Sequence, residues 1–194
     1  MARRIHIFGA SGSGTTTLGI ALGEALQVRH LDTDRYYWKL TDPPFTEKND
    51  PSERVRLIES EIAELGSWVL SGSLCGWGDP LIQHFTLAVF LKSSPSVRMA
   101  RLRARESQRY GDRILAAGDM HRQYVEFMAW AQSYDSASTS VRSLVLHEQW
   151  MKRLGCPVLH LDSDRPVEAL VEEVTKCGPV APASPTPLDG QEQE

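Results

Sequence analysis

The segment GASGSGTTTLG, residues 9–19, decides the fold of this chain. It follows the apolar run RRIHIF (3–8), which predicts a short strand, and it precedes apolar residues that recur at helical spacing. A glycine-rich turn in that setting is typical of the phosphate-binding pattern G-x-x-x-x-G-K-[ST]. The two glycines and the hydroxyl of the pattern are present as Gly9, Gly14 and Thr16. Thr15, however, stands where the pattern requires lysine.

This glycine loop predicts a site for the phosphates of a nucleotide. Backbone N–H groups of such a loop and the N-terminus of the following helix can surround a phosphate group. The hydroxyl of Thr16 can bind Mg²⁺. The alternative is a glycine-rich turn with no ligand. The predicted binding residues are Gly9, Ala10, Ser11, Gly12, Ser13, Gly14, Thr15 and Thr16.

Strand-like and helix-like segments alternate along the rest of the chain. The predicted strands are 3–8, 27–32, 67–70, 86–91 and 156–162. The predicted helices are 15–26, 52–65, 95–110, 119–133, 139–154 and 166–176. This order predicts an α/β fold of three layers, with a five-stranded parallel sheet between helices and ligands bound at its carboxyl edge. We expect one domain, residues 1–177, and a disordered acidic and proline-rich tail, residues 178–194. Residues 41–51 are turn-rich and predict an exposed excursion.

Composition narrows the classes of function. The net charge of −4 lies mostly in the tail, so it predicts neither nucleic-acid nor membrane binding. No apolar run reaches the length of a membrane span, and the first residues lack the apolar stretch of a signal peptide. Three cysteines without paired spacing indicate a reducing cytoplasm rather than a disulfide framework. The histidines lack the spacing of zinc ligands.

Two carboxylates follow the second predicted strand. Asp32 and Asp34 lie one residue apart, close to the glycine loop at the same edge of the sheet. In a phosphotransferase one such carboxylate can accept the proton of the attacking hydroxyl while the other orients water on Mg²⁺. The alternative is a pair of solvated turn carboxylates.

Arginines recur along the predicted helix 95–110. Arg98, Arg101, Arg105 and Arg109 are spaced by three, four and four residues, which places them on one helical face. Guanidinium groups suit phosphate oxygens, so the pattern predicts an arginine-rich lid over a triphosphate. A solvated basic face, paired with Glu106 and Asp112, is the alternative.

Aromatic residues stand at loop positions. Tyr36, Tyr37, Trp38 and Trp77 follow carboxylates or glycines rather than an apolar stripe. Such side chains can form the walls of a pocket for a flat or apolar acceptor. They can equally belong to the core.

With these residues placed, residues 1–176 resemble the nucleoside-monophosphate-kinase and shikimate-kinase branch of the P-loop kinases, which is adenylate-kinase-like. The resemblance implies ATP or GTP and Mg²⁺ as cofactors, with the Mg²⁺ held by Thr16 and, through water, by Asp32. It implies that Asp34, Gly72 and Ser73 contact the acceptor, beside Tyr37 and Trp38. It also implies nucleotide contacts from Arg101 and Arg165. The segment DTDRYYWK (32–39) is similar to the acidic-aromatic segment of uridine-kinase-like enzymes, which leaves the acceptor open.

Two functions therefore remain at this point. The first is phosphotransfer to a nucleotide, nucleoside or hydroxyl metabolite, in which Asp34 acts as the base and a lid arginine, Arg105 or Arg109, replaces the missing lysine. The second is a catalytically silent nucleotide-binding sensor or regulatory module. The expected partners are a nucleoside triphosphate and a small acceptor, in a monomer or a homodimer.

Overall fold

A central parallel sheet organises the chain. The computed structural model describes residues 2–178. The strands are β1 Arg4–Gly9, β2 Arg29–Asp32, β3 Trp68–Ser71, β4 Leu87–Lys92 and β5 Val158–Asp162. They are all parallel, in the order β2-β3-β1-β4-β5. The predicted five-stranded parallel sheet is confirmed, and β1, which leads into the glycine loop, lies at its centre.

Helices connect the strands. They are α1 Thr15–Leu26, α2 Thr33–Tyr37, α3 Pro51–Ile62, α4 Pro95–Tyr110, α5 His121–Gln132, α6 Leu144–Met151 and α7 Val167–Lys176. Short 3-10 turns at Asp79–His84, Gly111–Ile114 and Ser133–Asp135 join them. Because crossover helices cover both faces of a parallel sheet, its central strands are expected to be largely apolar. The β4 sequence LAVFL follows this rule, since all five residues are buried.

Alternate residues of the strands form two cores. In β4, Leu87, Val89 and Leu91 pack with α1 and α7 on one face of the sheet. Ala88 and Phe90 pack on the other face with residues of α3 and α6. Together the two cores fix the strands and hold all the loops at the carboxyl edge in place.

The boundaries of several elements differ from the prediction. The helix predicted over 139–154 begins at Leu144, because the Ser143 hydroxyl caps it by accepting the amide N–H of Leu146 at 3.2 Å. Residues 139–143 are therefore a loop. The helix predicted from Ser52 begins at Pro51, and its N-cap residue Asp50 makes no side-chain cap.

The turn-rich segment 41–51 contacts helices α4 and α5 instead of simply projecting into solvent. The Tyr110 hydroxyl donates to the Pro44 carbonyl at 3.2 Å, and the Gln123 amide donates to the Phe45 carbonyl at 3.0 Å. The segment thus joins α2 to the helices α4 and α5. The predicted tail lies outside the described residues, apart from Gly178. Among residues 2–178, no helix combines the length and the apolar character needed to cross a membrane.

Buried His6 makes the stability of the fold sensitive to acid. Its ring stacks on Phe8 and Phe85, and its Nδ1–H donates to the Leu70 carbonyl at 3.1 Å. Burial lowers the pKa of His6 from 6.5 to about 3. Between these values the unfolded chain binds a proton that the folded chain does not, so stability is complete above pH 6.5 and falls as the pH decreases.

The variant His6→Phe isolates this effect because it keeps a stacked ring but binds no proton. On going from pH 8 to pH 5, we expect the unfolding free energy of the wild type to fall by about 2 kcal/mol more than that of the variant. Denaturant unfolding at the two pH values measures this difference. An unchanged difference between the two proteins would show that His6 is protonated in the fold.

Candidate active site

The glycine loop forms a cradle between β1 and α1. Gly12 and Gly14 have φ angles of 80° and 89°, a conformation that favours glycine. A Cβ atom on Gly12 would lie 2.8 Å from the Arg98 carbonyl oxygen. The turn is closed by the Ser13 amide, which donates to the Ala10 carbonyl at 3.1 Å. Only glycine lets the chain turn this tightly against α4.

The cradle fits a phosphate group. Within residues 2–178, the amide N–H groups of Gly14, Thr15 and Thr16 donate to no protein acceptor. Free amides at the start of a 12-residue helix, together with the helix dipole, attract an anion. The partly buried side chain of Thr15 adds a hydroxyl but no positive charge.

A hydrogen-bonded chain joins this loop to both predicted carboxylates. The Thr16 hydroxyl donates to Asp32 Oδ2 at 2.8 Å, and the Asp34 amide donates to Asp32 Oδ1 at 2.9 Å. Asp32 is the N-cap of α2, so this short helix holds Asp34 in place. Among the described residues, no three His, Cys, Asp or Glu side chains form a metal site. A hydroxyl and one carboxylate suit Mg²⁺, which keeps several waters and binds substrate phosphates.

Asp34 has the environment of a proton acceptor. Burial, and then the charge of Asp32, raise the pKa of its carboxyl. The positive charges of Arg142, Arg105 and Arg109 oppose this rise. A raised pKa brings a carboxylate closer to the range in which a general base works best.

The loop after β3 forms another wall. Gly72 has a φ angle of 109°, and a Cβ atom there would lie 1.8 Å from the hydroxyl oxygen of Thr33, next to Asp34. The Ser73 hydroxyl lies 3.0 Å from His147 Nε2, and the Tyr134 hydroxyl lies 2.7 Å from His147 Nδ1. Burial lowers the pKa of His147 to about 3, so the ring is neutral at physiological pH. This buried network connects Ser73 to helix α6 and to the 3-10 turn Ser133–Asp135.

A cavity of about 710 Å³ opens beside these residues. Asp34 and Ser73 lie in its wall, as do Tyr37 and Trp38, the aromatic residues predicted to contact the acceptor. Further aromatic residues contribute to the wall. Trp77 was among the loop aromatics expected there, whereas Phe45, Tyr110, Tyr124, Phe127 and Trp130 were not. The aromatic lining includes Tyr37, Trp38, Trp77, Tyr124, Phe127 and Trp130.

The arginines of α4 occupy different environments. Arg105 and Arg109 line the cavity, and both contact the buried carboxylate of Glu106, at 2.8 Å and 3.6 Å. Arg101 donates to the Ser163 hydroxyl and carbonyl, both at 3.0 Å, close to the glycine loop.

Arg98 is an exception to the predicted common face. It is buried and pairs with Asp135, and its guanidinium lies over the ring of Tyr134. The reason is its neighbourhood, since the adjacent Met99 and Leu102 belong to the core between α4 and α5. Arg165, predicted beside the nucleotide, pairs with Glu173 on α7 at 2.7 Å.

Arg142 was missed by the sequence analysis. Its guanidinium donates to the Ser11 hydroxyl at 2.6 Å and lies 4.6 Å from the Trp130 ring centroid. The helix predicted over 139–154 includes this residue, whereas it lies in the loop before α6. The run SASTSVRS (136–143) was the available signal, because clustered Ser and Thr favour loops.

Comparison with known proteins identifies the family. A family model described as an AAA domain matches residues 5–128. The chain belongs to this family. One relative of this chain, the uncharacterized protein YqaC of Bacillus subtilis, is 48% identical over 174 residues. The match covers 90% of this chain and 96% of that protein. A shikimate kinase of Bacteroides thetaiotaomicron is 34% identical over 116 residues, which cover 55% of this chain and 66% of the kinase.

Solved structures agree on the fold of this AAA-domain protein. A crystal structure of shikimate kinase from Bacteroides thetaiotaomicron superposes with a TM-score of 0.55 at 21% identity, covering 90% of this chain and 97% of that one. The protein therefore has an adenylate-kinase-like P-loop kinase fold, as the glycine loop and the order of elements predicted. Its relatives with an assigned activity include a cytidylate kinase and a shikimate kinase, which supports a kinase function.

Proposed function

We propose that this AAA-domain protein transfers the γ-phosphoryl group of ATP or GTP to a small acceptor. The observation that carries this proposal is the hydrogen-bonded chain Thr16–Asp32–Asp34. It connects the loop hydroxyl, a carboxylate suited to Mg²⁺ and a second carboxylate in the cavity wall into one hydrogen-bonded unit. A glycine-rich turn without a ligand has no need for this arrangement.

In the proposed reaction the acceptor hydroxyl gives its proton to the Asp34 carboxylate. The hydroxyl oxygen forms a bond to the γ-phosphorus, while the bond from that phosphorus to the β,γ-bridging oxygen breaks and the nucleoside diphosphate leaves. Mg²⁺, bound by Thr16 and through water by Asp32, would neutralise charge on the phosphate oxygens. Where the acceptor is a phosphate, its oxygen attacks and Asp34 only orients it.

The arginines have proposed roles according to their positions. Arg105 and Arg109 face the cavity, so we assign them to the acceptor side and to charge on the transferring group. Arg101 lies close to the glycine loop, which suits contact with the bound nucleotide. For Arg165 this role requires that it leave Glu173 when nucleotide binds.

The cavity indicates the kind of acceptor. Aromatic walls formed by Tyr37, Trp77 and Trp130 favour a planar ring, as nucleosides and nucleotides carry, over a small polyhydroxylated molecule. The free thiols of Cys75, Cys156 and Cys177 agree with our proposal that the protein works in a reducing cytoplasm.

The test measures consumption of ATP and of GTP with a panel of nucleosides, nucleoside monophosphates and hydroxy acids. We expect acceptor-dependent, Mg²⁺-dependent consumption that is greatest with an acceptor bearing a planar ring. The Thr16→Val variant is the control for metal binding and should lose most of the activity.

The same measurements separate the alternatives. Nucleotide binding without turnover for any acceptor would favour the regulatory module. No binding of either nucleotide at millimolar concentration with Mg²⁺ would contradict the proposal.

A further inference from the structure

Arg142 is a shielded cation without an acidic partner. Among residues 2–178, no carboxylate lies within ion-pair distance of its guanidinium. Its contacts are the hydroxyl of Ser11 at 2.6 Å and the ring of Trp130, and it lines the cavity. Burying an unpaired charge is costly, so a partly buried guanidinium in this position indicates a site for an anion.

The other cations near the loop are better compensated or more exposed. Arg105 and Arg109 share the carboxylate of Glu106. Arg101 is exposed, and two of its donors are already used by Ser163. Arg142 thus combines direct contact with the phosphate loop and partial burial with the absence of an ion-paired carboxylate among residues 2–178.

Resting on the proposed function, we propose that Arg142 replaces the P-loop lysine that is missing at Thr15. Its guanidinium would bind the terminal phosphate of the nucleoside triphosphate at the acceptor end of the loop, between Ser11 and Asp34, and stabilise that group during transfer. A planar fork with several donors suits phosphate oxygens, and it reaches the loop from a different part of the chain. In this role Arg142 is a catalytic residue.

The first experiment measures binding without chemistry. Calorimetry with the β,γ-imido analogues of ATP and GTP, in the presence of Mg²⁺, compares wild type, Arg142→Gln and Arg142→Lys with the exposed control Arg122→Gln. We expect Arg142→Gln to weaken binding of the better analogue about tenfold, while the affinity for the diphosphate changes less than threefold. Arg142→Lys should retain part of the affinity, and Arg122→Gln should match the wild type.

The second experiment uses turnover with the acceptor found in the panel. Loss of a charged donor in a shielded site typically lowers kcat by about a hundredfold or more, which we expect for Arg142→Gln. Adding Thr15→Lys to the Arg142→Gln variant should raise its kcat by about tenfold or more. Thr15→Lys combined with Arg105→Gln or Arg109→Gln should restore none, because those arginines approach the transferring group from the acceptor side and do not occupy the place of the missing lysine.

The outcomes distinguish this inference from the function on which it rests. A wild-type protein that binds neither analogue overturns both. If the wild type binds and turns over, but folded Arg142→Gln keeps the same triphosphate affinity and kcat, the inference fails and the function stands. An effect confined to the KM for the acceptor would also overturn it, since Arg142 would then bind the acceptor only. Thermal melts establish that each variant is folded.

Discussion

Asp34→Asn is expected to lower turnover by a hundredfold or more while the affinity for nucleotide changes little. The amide keeps the size and the position of the side chain but cannot accept a proton, and general-base catalysis contributes about 10² to 10⁴ in rate. Within residues 2–178, Asp34 makes no hydrogen bond to the glycine loop, and Asp32 links the two. Steady-state kinetics and nucleotide titration of the same preparation separate the two effects.

Asp112→Asn is the matched control, because Asp112 is exposed and lies outside the cavity. It removes the same charge and should leave kcat unchanged. Equal turnover of wild type and Asp34→Asn would remove Asp34 from the mechanism. A large loss of nucleotide affinity would show instead that Asp34 helps to bind the metal–nucleotide complex.

Gly72→Ala is expected to destabilise the fold by about 3 kcal/mol, which lowers Tm by about 6 to 12 °C in a domain of this size. The φ angle of 109° is strained for alanine, and the new Cβ would lie 1.8 Å from the hydroxyl oxygen of buried Thr33. Thr33 must move, and it lies between Asp32 and Asp34. Activity should therefore fall by more than the loss of stability alone explains.

Gly76→Ala provides the control in the same loop. Gly76 has a φ angle of 83°, but a Cβ atom there would meet no atom within 4 Å. The substitution Gly76→Ala should lower the unfolding free energy only by the backbone strain, about 1 kcal/mol. Similar melting temperatures for the two variants would mean that Thr33 adapts easily and that Gly72 is not needed for close packing.

Much of the fold could be predicted because its signals are local. The strand 86–91 is a continuous apolar run, and the helix 15–26 has a clear periodicity directly after the glycines. The short helix α2 was not predicted, since five residues are too few for a periodic pattern. The predicted start of α6 was wrong, because the helix begins where the Ser143 side chain caps it.

The site was predictable only where its residues are close in sequence. The glycine loop and the pair Asp32 and Asp34 can be recognised from the local sequence alone. Arg142, by contrast, meets Ser11 across 131 positions. Its contact depends on how the chain folds back after α5. The pairing of the arginines with Glu106 was foreseen as an alternative, but the burial of this carboxylate was not, since it depends on the packing of α4.

The stacking of Arg142 on Trp130 gives the protein an optical reporter of its own. Three of the five tryptophans, Trp38, Trp77 and Trp130, line the cavity, so their indole emission depends on what occupies it. A ligand that draws the guanidinium away from Trp130, or a planar ring that stacks on Trp77, changes the intensity without any label. Stopped-flow fluorescence can therefore follow nucleotide and acceptor as they arrive, in the unmodified chain.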